Sequence, residues 1–123
     1  MSTMKAARVP EAGADFEIVD LPVPDPAANE VRVQVEACGI CHSDAFVKEG
    51  TFPGLDYPRV PGHEVAGVID AVGGGVTDVS VGDEVYAFVD ADGPASNGAY
   101  AEYVVTPAVF VAKKPKTFSF PES

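Results

Sequence analysis

The segment Glu30-Val31-Arg32-Val33-Gln34-Val35-Glu36-Ala37 alternates valine with polar residues without a break. Successive side chains of an extended chain point to opposite faces, so this period of two specifies a strand with one dry and one wet face. The remaining apolar runs are of strand length too. Met4-Lys5-Ala6-Ala7-Arg8-Val9 and Phe16-Glu17-Ile18-Val19 read as short strands separated by a turn over residues 10–14. Pro22, Pro24 and Pro26 follow as an extended connector, because each lacks the amide hydrogen that a ladder needs. The second half of residues 60–72 reads as a buried strand closed by Gly73-Gly74-Gly75, and residues 81–85 as a turn into Val85-Tyr86-Ala87-Phe88-Val89. Residues 99–105 alternate again, and Phe110-Val111-Ala112 adds a last short strand. Ser43 or Asp44 is expected to cap a short helix over residues 45–49, stopped by Gly50. Many short strands with one or two short helices predict a mainly β fold, an antiparallel barrel or sandwich, in one domain over residues 1–123.

The charge balance narrows the partners. With 19 acidic against 8 basic residues, the net charge is -11. Such a field repels phosphate backbones and anionic lipid, so neither nucleic acid nor a membrane is an expected partner. No window approaches the ~20 apolar residues of a membrane span, and the N-terminus carries no apolar signal core. The two cysteines are three positions apart, and a bridge between them would close too small a loop to constrain a fold. That usage fits a reducing, cytoplasmic setting.

All the histidines and cysteines fall in one stretch. The long alternating strand runs into Cys38-Gly39-Ile40-Cys41-His42-Ser43-Asp44, and Pro61-Gly62-His63-Glu64 follows nineteen residues on, counted from His42 to Pro61. A thiolate, imidazoles and carboxylates form a suitable ligand set for zinc. Cys41 is the best ligand candidate, with His63 approaching from a separate loop; each is weighed against the simpler role of a packed core residue. Cys38 suits packing better, since a second Cys-x-x-Cys pair is absent and no thioredoxin-like βαβ pattern surrounds it. Glu64 could coordinate metal or sit in solvent. Asp44 suits an outer position, accepting the second ring nitrogen of His63. Gly73-Gly74-Gly75 lacks the spacing and the following helix of a dinucleotide loop. Ser43 lacks a nucleophile elbow, which argues against hydrolase chemistry.

Cys38-Gly39-Ile40-Cys41-His42-Ser43-Asp44 and Gly62-His63-Glu64-Val65-Ala66-Gly67, with the Gly82-Asp83-Glu84-Val85 turn and Gly98-Ala99-Tyr100-Ala101-Glu102-Tyr103, resemble the zinc-dependent medium-chain alcohol dehydrogenases. The resemblance covers essentially the whole chain. It implies a GroES-like, partly open β-barrel that family members join to a Rossmann domain for NAD(P). It implies Cys41 and His63 as zinc ligands, Glu64 as an exchangeable ligand and Asp44 as the outer partner of His63. Ser43 would pass the substrate proton towards solvent, and His42 would lie near the cofactor pyrophosphate. The family chemistry is hydride transfer between a small alcohol or aldehyde and the nicotinamide.

The family's nucleotide-binding domain and its remaining zinc ligand would fall beyond Ser123, so the chain by itself is expected to be inactive. The family's four-cysteine structural lobe is replaced by the short polar stretch 90–97, and from Glu84 onward the sequence looks more like zinc-free quinone reductases. The competing expectation is a metal-free β-barrel scaffold or interaction module that self-associates through surface left uncovered between domains.

Overall fold

A computed structural model describes residues 2–40, 42–50, 56–90 and 97–122, with the side chains of His42, Ser43 and Glu122 outside the description. Its elements are β1 (Thr3–Arg8), β2 (Glu17–Pro22), β3 (Glu30–Gly39), α1 (His42–Glu49), β4 (Glu64–Val72), β5 (Glu84–Phe88), β6 (Tyr103–Pro107) and β7 (Val111–Lys113). Short 3-10 turns cover Ala108–Phe110 and Phe120–Glu122.

The alternating stretch becomes β3, which lies inside a five-stranded sheet of order β6-β3-β4-β5-β7. Val31 and Val33 are fully buried, while Arg32 lies on the wet face. They join Val65, Ile69, Val85, Val89, Ala99 and Val104 in one apolar core. Each fully buried valine or isoleucine contributes roughly 1.5–3 kcal/mol, which makes this cluster the main support of the sheet. The β3–β4 register shifts between Arg32 and Val33 and again between Val35 and Ala37. Such bulges bend and twist a strand, and here they curl the sheet. Gly67 leaves no room for a side chain, since a Cβ there would lie 2.1 Å from the Gln34 carbonyl oxygen of β3.

β1 and β2 form a separate antiparallel pair. It is tied to the larger sheet by the Ala6–Ala101 bridge, by Ala7 N donating to Tyr100 O at 2.8 Å and by Glu102 N donating to Lys5 O at 3.1 Å. The sheets therefore curve around the core without closing, as a mainly β, partly open barrel. No helix among the described residues is long and apolar enough to cross a membrane.

The helix begins earlier than its sequence suggests. It starts at His42, so Asp44 lies inside the first turn and does not act as a cap. The reason is tertiary: the Asp44 carboxylate accepts hydrogen bonds from a different loop. Gly50 ends the helix as expected, with φ 76° and its amide donating to Phe46 O at 3.0 Å, the left-handed stop that glycine adopts without a Cβ clash. At the far end, Phe110 belongs to a 3-10 turn and the strand begins one residue later. The pairing of residues 99–105 contracts to a bridge at Ala101 and a strand from Tyr103, because Gly98, Ala99 and Tyr100 bond instead to the segment preceding β4. Most of the polar stretch 90–97 lies outside the described residues.

Candidate functional site

Two segments are stitched together ahead of β4. Gly98 N donates to Val60 O at 2.7 Å, Ala99 N to Gly62 O at 3.0 Å and Tyr100 N to Pro61 O at 3.0 Å. The approach is close enough to demand glycine on both sides. A Cβ on Gly98 would lie 2.5 Å from the carbonyl oxygens of Pro61 and Gly62, and one on Gly62 would lie 2.7 Å from the Ala99 nitrogen. Gly62 also has φ 115°, a conformation that L side chains rarely adopt. This backbone aims the next residue, His63, inward.

His63 is 5% exposed and Asp44 is 3% exposed. Their contact is short: His63 Nδ1 lies 2.6 Å from Asp44 Oδ1. The same oxygen accepts from Gly62 N at 3.1 Å, and Oδ2 accepts from the Tyr100 hydroxyl at 3.1 Å. A carboxylate can take several donors at once, and burial strengthens each bond by excluding water. As acceptor, it draws the imidazole proton to Nδ1, so the protonated nitrogen faces Asp44.

On its other side the imidazole faces Phe88, with ring centroids 6.3 Å apart and planes inclined by 27°. Phe88 meets Phe110 edge to face at 5.4 Å. With Glu64, Val65, Tyr86 and Ala87 these residues line a cleft of about 380 Å³ that opens beside His63. Phe88 and Phe110 remain 49% and 43% exposed, so the aromatic wall faces outward.

Glu64 opens β4 opposite Gly39, and its carboxylate fills the space a Cβ on Gly39 would need, with Oε2 at 2.2 Å from that position. It borders a second cleft of about 240 Å³ lined by Cys38, Gly39, Phe120 and Pro121. Cys38 packs against the core, and its thiol donates to the Gly39 carbonyl at 3.5 Å. Among the described residues no three metal-ligating side chains gather at one point. Cys41 lies outside the described residues, as do the side chains of His42 and Ser43. The structure thus brings together His63 and Asp44, sets Glu64 on the adjoining strand position and adds Tyr100, Phe88 and Phe110, which sequence reasoning left among ordinary strand residues.

Comparison with known proteins follows the same outline. Residues 27–116 match the family model described as "Alcohol dehydrogenase GroES-like domain". An S-(hydroxymethyl)glutathione dehydrogenase of Komagataella pastoris is 49% identical over 81 residues, covering 66% of this chain and 21% of the relative. The solved structure of an NAD-dependent alcohol dehydrogenase superposes with a TM-score of 0.87 at 35% identity, over 95% of this chain and 41% of that one. A mycobacterial quinone oxidoreductase superposes with a TM-score of 0.81 at 38% identity, over 95% of this chain and 35% of that one. The chain therefore spans between about a fifth and two fifths of the length of these proteins.

Proposed function

This chain belongs to the family of alcohol dehydrogenase GroES-like domains, and from that premise we propose that it is the zinc- and substrate-holding domain of an NAD(P)-dependent alcohol dehydrogenase. The observation that carries the reading is the buried 2.6 Å contact between His63 Nδ1 and Asp44 Oδ1. Metal-bound imidazoles commonly donate their other nitrogen to a carboxylate, which fixes both tautomer and ring orientation. Cys41 and His63 would hold the ion, with Glu64 as the exchangeable carboxylate. A bound zinc would supply Lewis-acid polarisation of an alcohol or aldehyde oxygen.

The chain's own residues do the rest. Asp44 keeps His63 in the ligating tautomer. Phe88 and Phe110 provide an apolar wall on which a small alcohol can rest and from which water is displaced. Ser43 takes the substrate proton towards solvent, and His42 contacts the cofactor pyrophosphate. Both assignments rest on the family motif. A Rossmann domain must bring NAD(P), and the 123-residue chain by itself does not turn over alcohol.

Calorimetric titration of the metal-free chain with zinc tests this. One zinc per chain is expected, with binding weakened at least a hundredfold in both Cys41→Ala and His63→Ala. Alcohol-dependent reduction of NAD(P) by the chain alone would refute the inactive part of the proposal.

A metal-free scaffold is the second reading, favoured by the exposed Tyr86, Phe88, Val109 and Phe110. It predicts no zinc and a chain that self-associates through that surface.

A further inference from the structure

We propose that Tyr100 is a positioning residue for His63, acting through the Asp44 carboxylate; the inference rests on the reading of His63 as a metal ligand. Tyr100 is fixed before its hydroxyl reaches anything. Its amide donates to Pro61 O at 3.0 Å, its carbonyl accepts from Ala7 N at 2.8 Å, and its ring packs on Phe16 with centroids 5.9 Å apart and planes at 55°. The hydroxyl then donates to Asp44 Oδ2 at 3.1 Å. One residue therefore holds both the loop that carries His63 and the carboxylate that orients its ring.

The carboxylate gains from this second hold. The terminal torsion of aspartate is broad and nearly two-fold, so a donor on Oδ2 as well as on Oδ1 fixes the plane of the group more tightly. With Oδ2 taken by Tyr100, Oδ1 stays aimed at Gly62 N and His63 Nδ1, at 3.1 Å and 2.6 Å. Phenylalanine would fill the same volume against Phe16 and Gly62, so what tyrosine adds here is the hydroxyl donor. The consequence is a pre-set imidazole: the ring is held in its ligating orientation by protein contacts alone, before any metal arrives.

The test is Tyr100→Phe in the full 123-residue chain, with two readouts. In the metal-free protein, proton NMR of the unmodified chain is expected to show a low-field, slowly exchanging His63 Nδ1 proton. In Tyr100→Phe that resonance should move upfield and exchange with water about tenfold faster. Competition with a chromophoric chelator should show the zinc dissociation constant rising about threefold to tenfold, less than the 10- to 100-fold typical of losing a direct outer partner. Asp44→Asn supplies the second variant: adding Tyr100→Phe to it should cause no further loss in zinc affinity, because the path runs through the carboxylate. An unchanged Nδ1 resonance and unchanged zinc affinity, with only a lowered melting temperature, would overturn the proposal. So would fully additive losses in the double variant. If the unmodified chain binds no zinc, the functional reading fails, and this inference is then decided by the imidazole proton alone.

Discussion

Asp44 and Asp70 each gather several hydrogen bonds, and the surroundings make them different objects. Asp70 receives Arg32 Nε at 2.8 Å and Nη2 at 3.2 Å on the wet face of the β3–β4 pair. Arg32 also reaches Pro24 O at 3.1 Å and lies over the Tyr103 ring at 5.6 Å, so it pins the proline connector to the sheet. Its guanidinium is held above its ordinary value by the hydrogen bond to Asp70, against a smaller opposing effect of burial. The Asp70 side chain is still 28% exposed, and water can replace what a mutation removes. Asp44 is sealed, and its partners arrive from the loop at Gly62 and His63 and the segment at Tyr100. The first network fastens strands; the second sets the aim of one imidazole. Similar bonds are worth less where water can replace them and more where it cannot.

The comparison breaks most readily at Asp44. Asp44→Ala strands buried donors, which costs about 3–5 kcal/mol in denaturant unfolding and removes the low-field His63 proton. A loss under about 1 kcal/mol would make the two networks equivalent. Gly62→Ala comes next, at about 2–4 kcal/mol, because its φ is strained for alanine and its new Cβ meets the Ala99 amide. Its zinc affinity should fall with its stability, since the same backbone aims His63. Arg32→Ala should cost about 1–2 kcal/mol after allowance for solvent, and leave zinc affinity unchanged. A change in metal binding there would couple two regions that this account keeps separate.

Smallest of all is Lys5→Ala. Lys5 pairs with Asp20 at 2.6 Å with both side chains well exposed, and the hydrogen bond to Asp20, with its attraction, raises the Lys5 ammonium above 10.5. A raised folded value means that the contribution is complete below the ordinary value and fades as pH climbs through the raised one. At neutral pH the substitution should leave the unfolding curve unchanged within error, and any difference between the two chains should narrow further above pH 10.5.

The sequence made the sheet legible because a period of two leaves little choice: Val31 and Val33 had to be buried together, and they are. Gly50 as a helix stop was equally local. The helix start was not, because Asp44 is drawn into the first turn by donors that come from loops far along the chain. Tyr100 escaped for the same reason: 56 residues separate it from Asp44, and within its own alternating stretch it looks like any strand tyrosine. Phe88 and Phe110 read only as strand residues; Phe88 ends β5, Phe110 lies in the turn before β7, and together they wall a cleft. The motif around Cys41 and His63 carried the family and its expected ligands, since those residue types at that spacing are specific; side-chain placement of Cys41, His42 and Ser43 falls outside the described residues.

X-ray absorption at the zinc edge of the purified, zinc-loaded chain addresses the central claim most directly. A coordination shell containing one sulfur at about 2.3 Å and at least one imidazole nitrogen near 2.0–2.1 Å is the predicted result, with the sulfur lost in Cys41→Ala and the imidazole lost in His63→Ala. A shell of oxygen and nitrogen alone in the unmodified chain, or one that neither substitution alters, would contradict it.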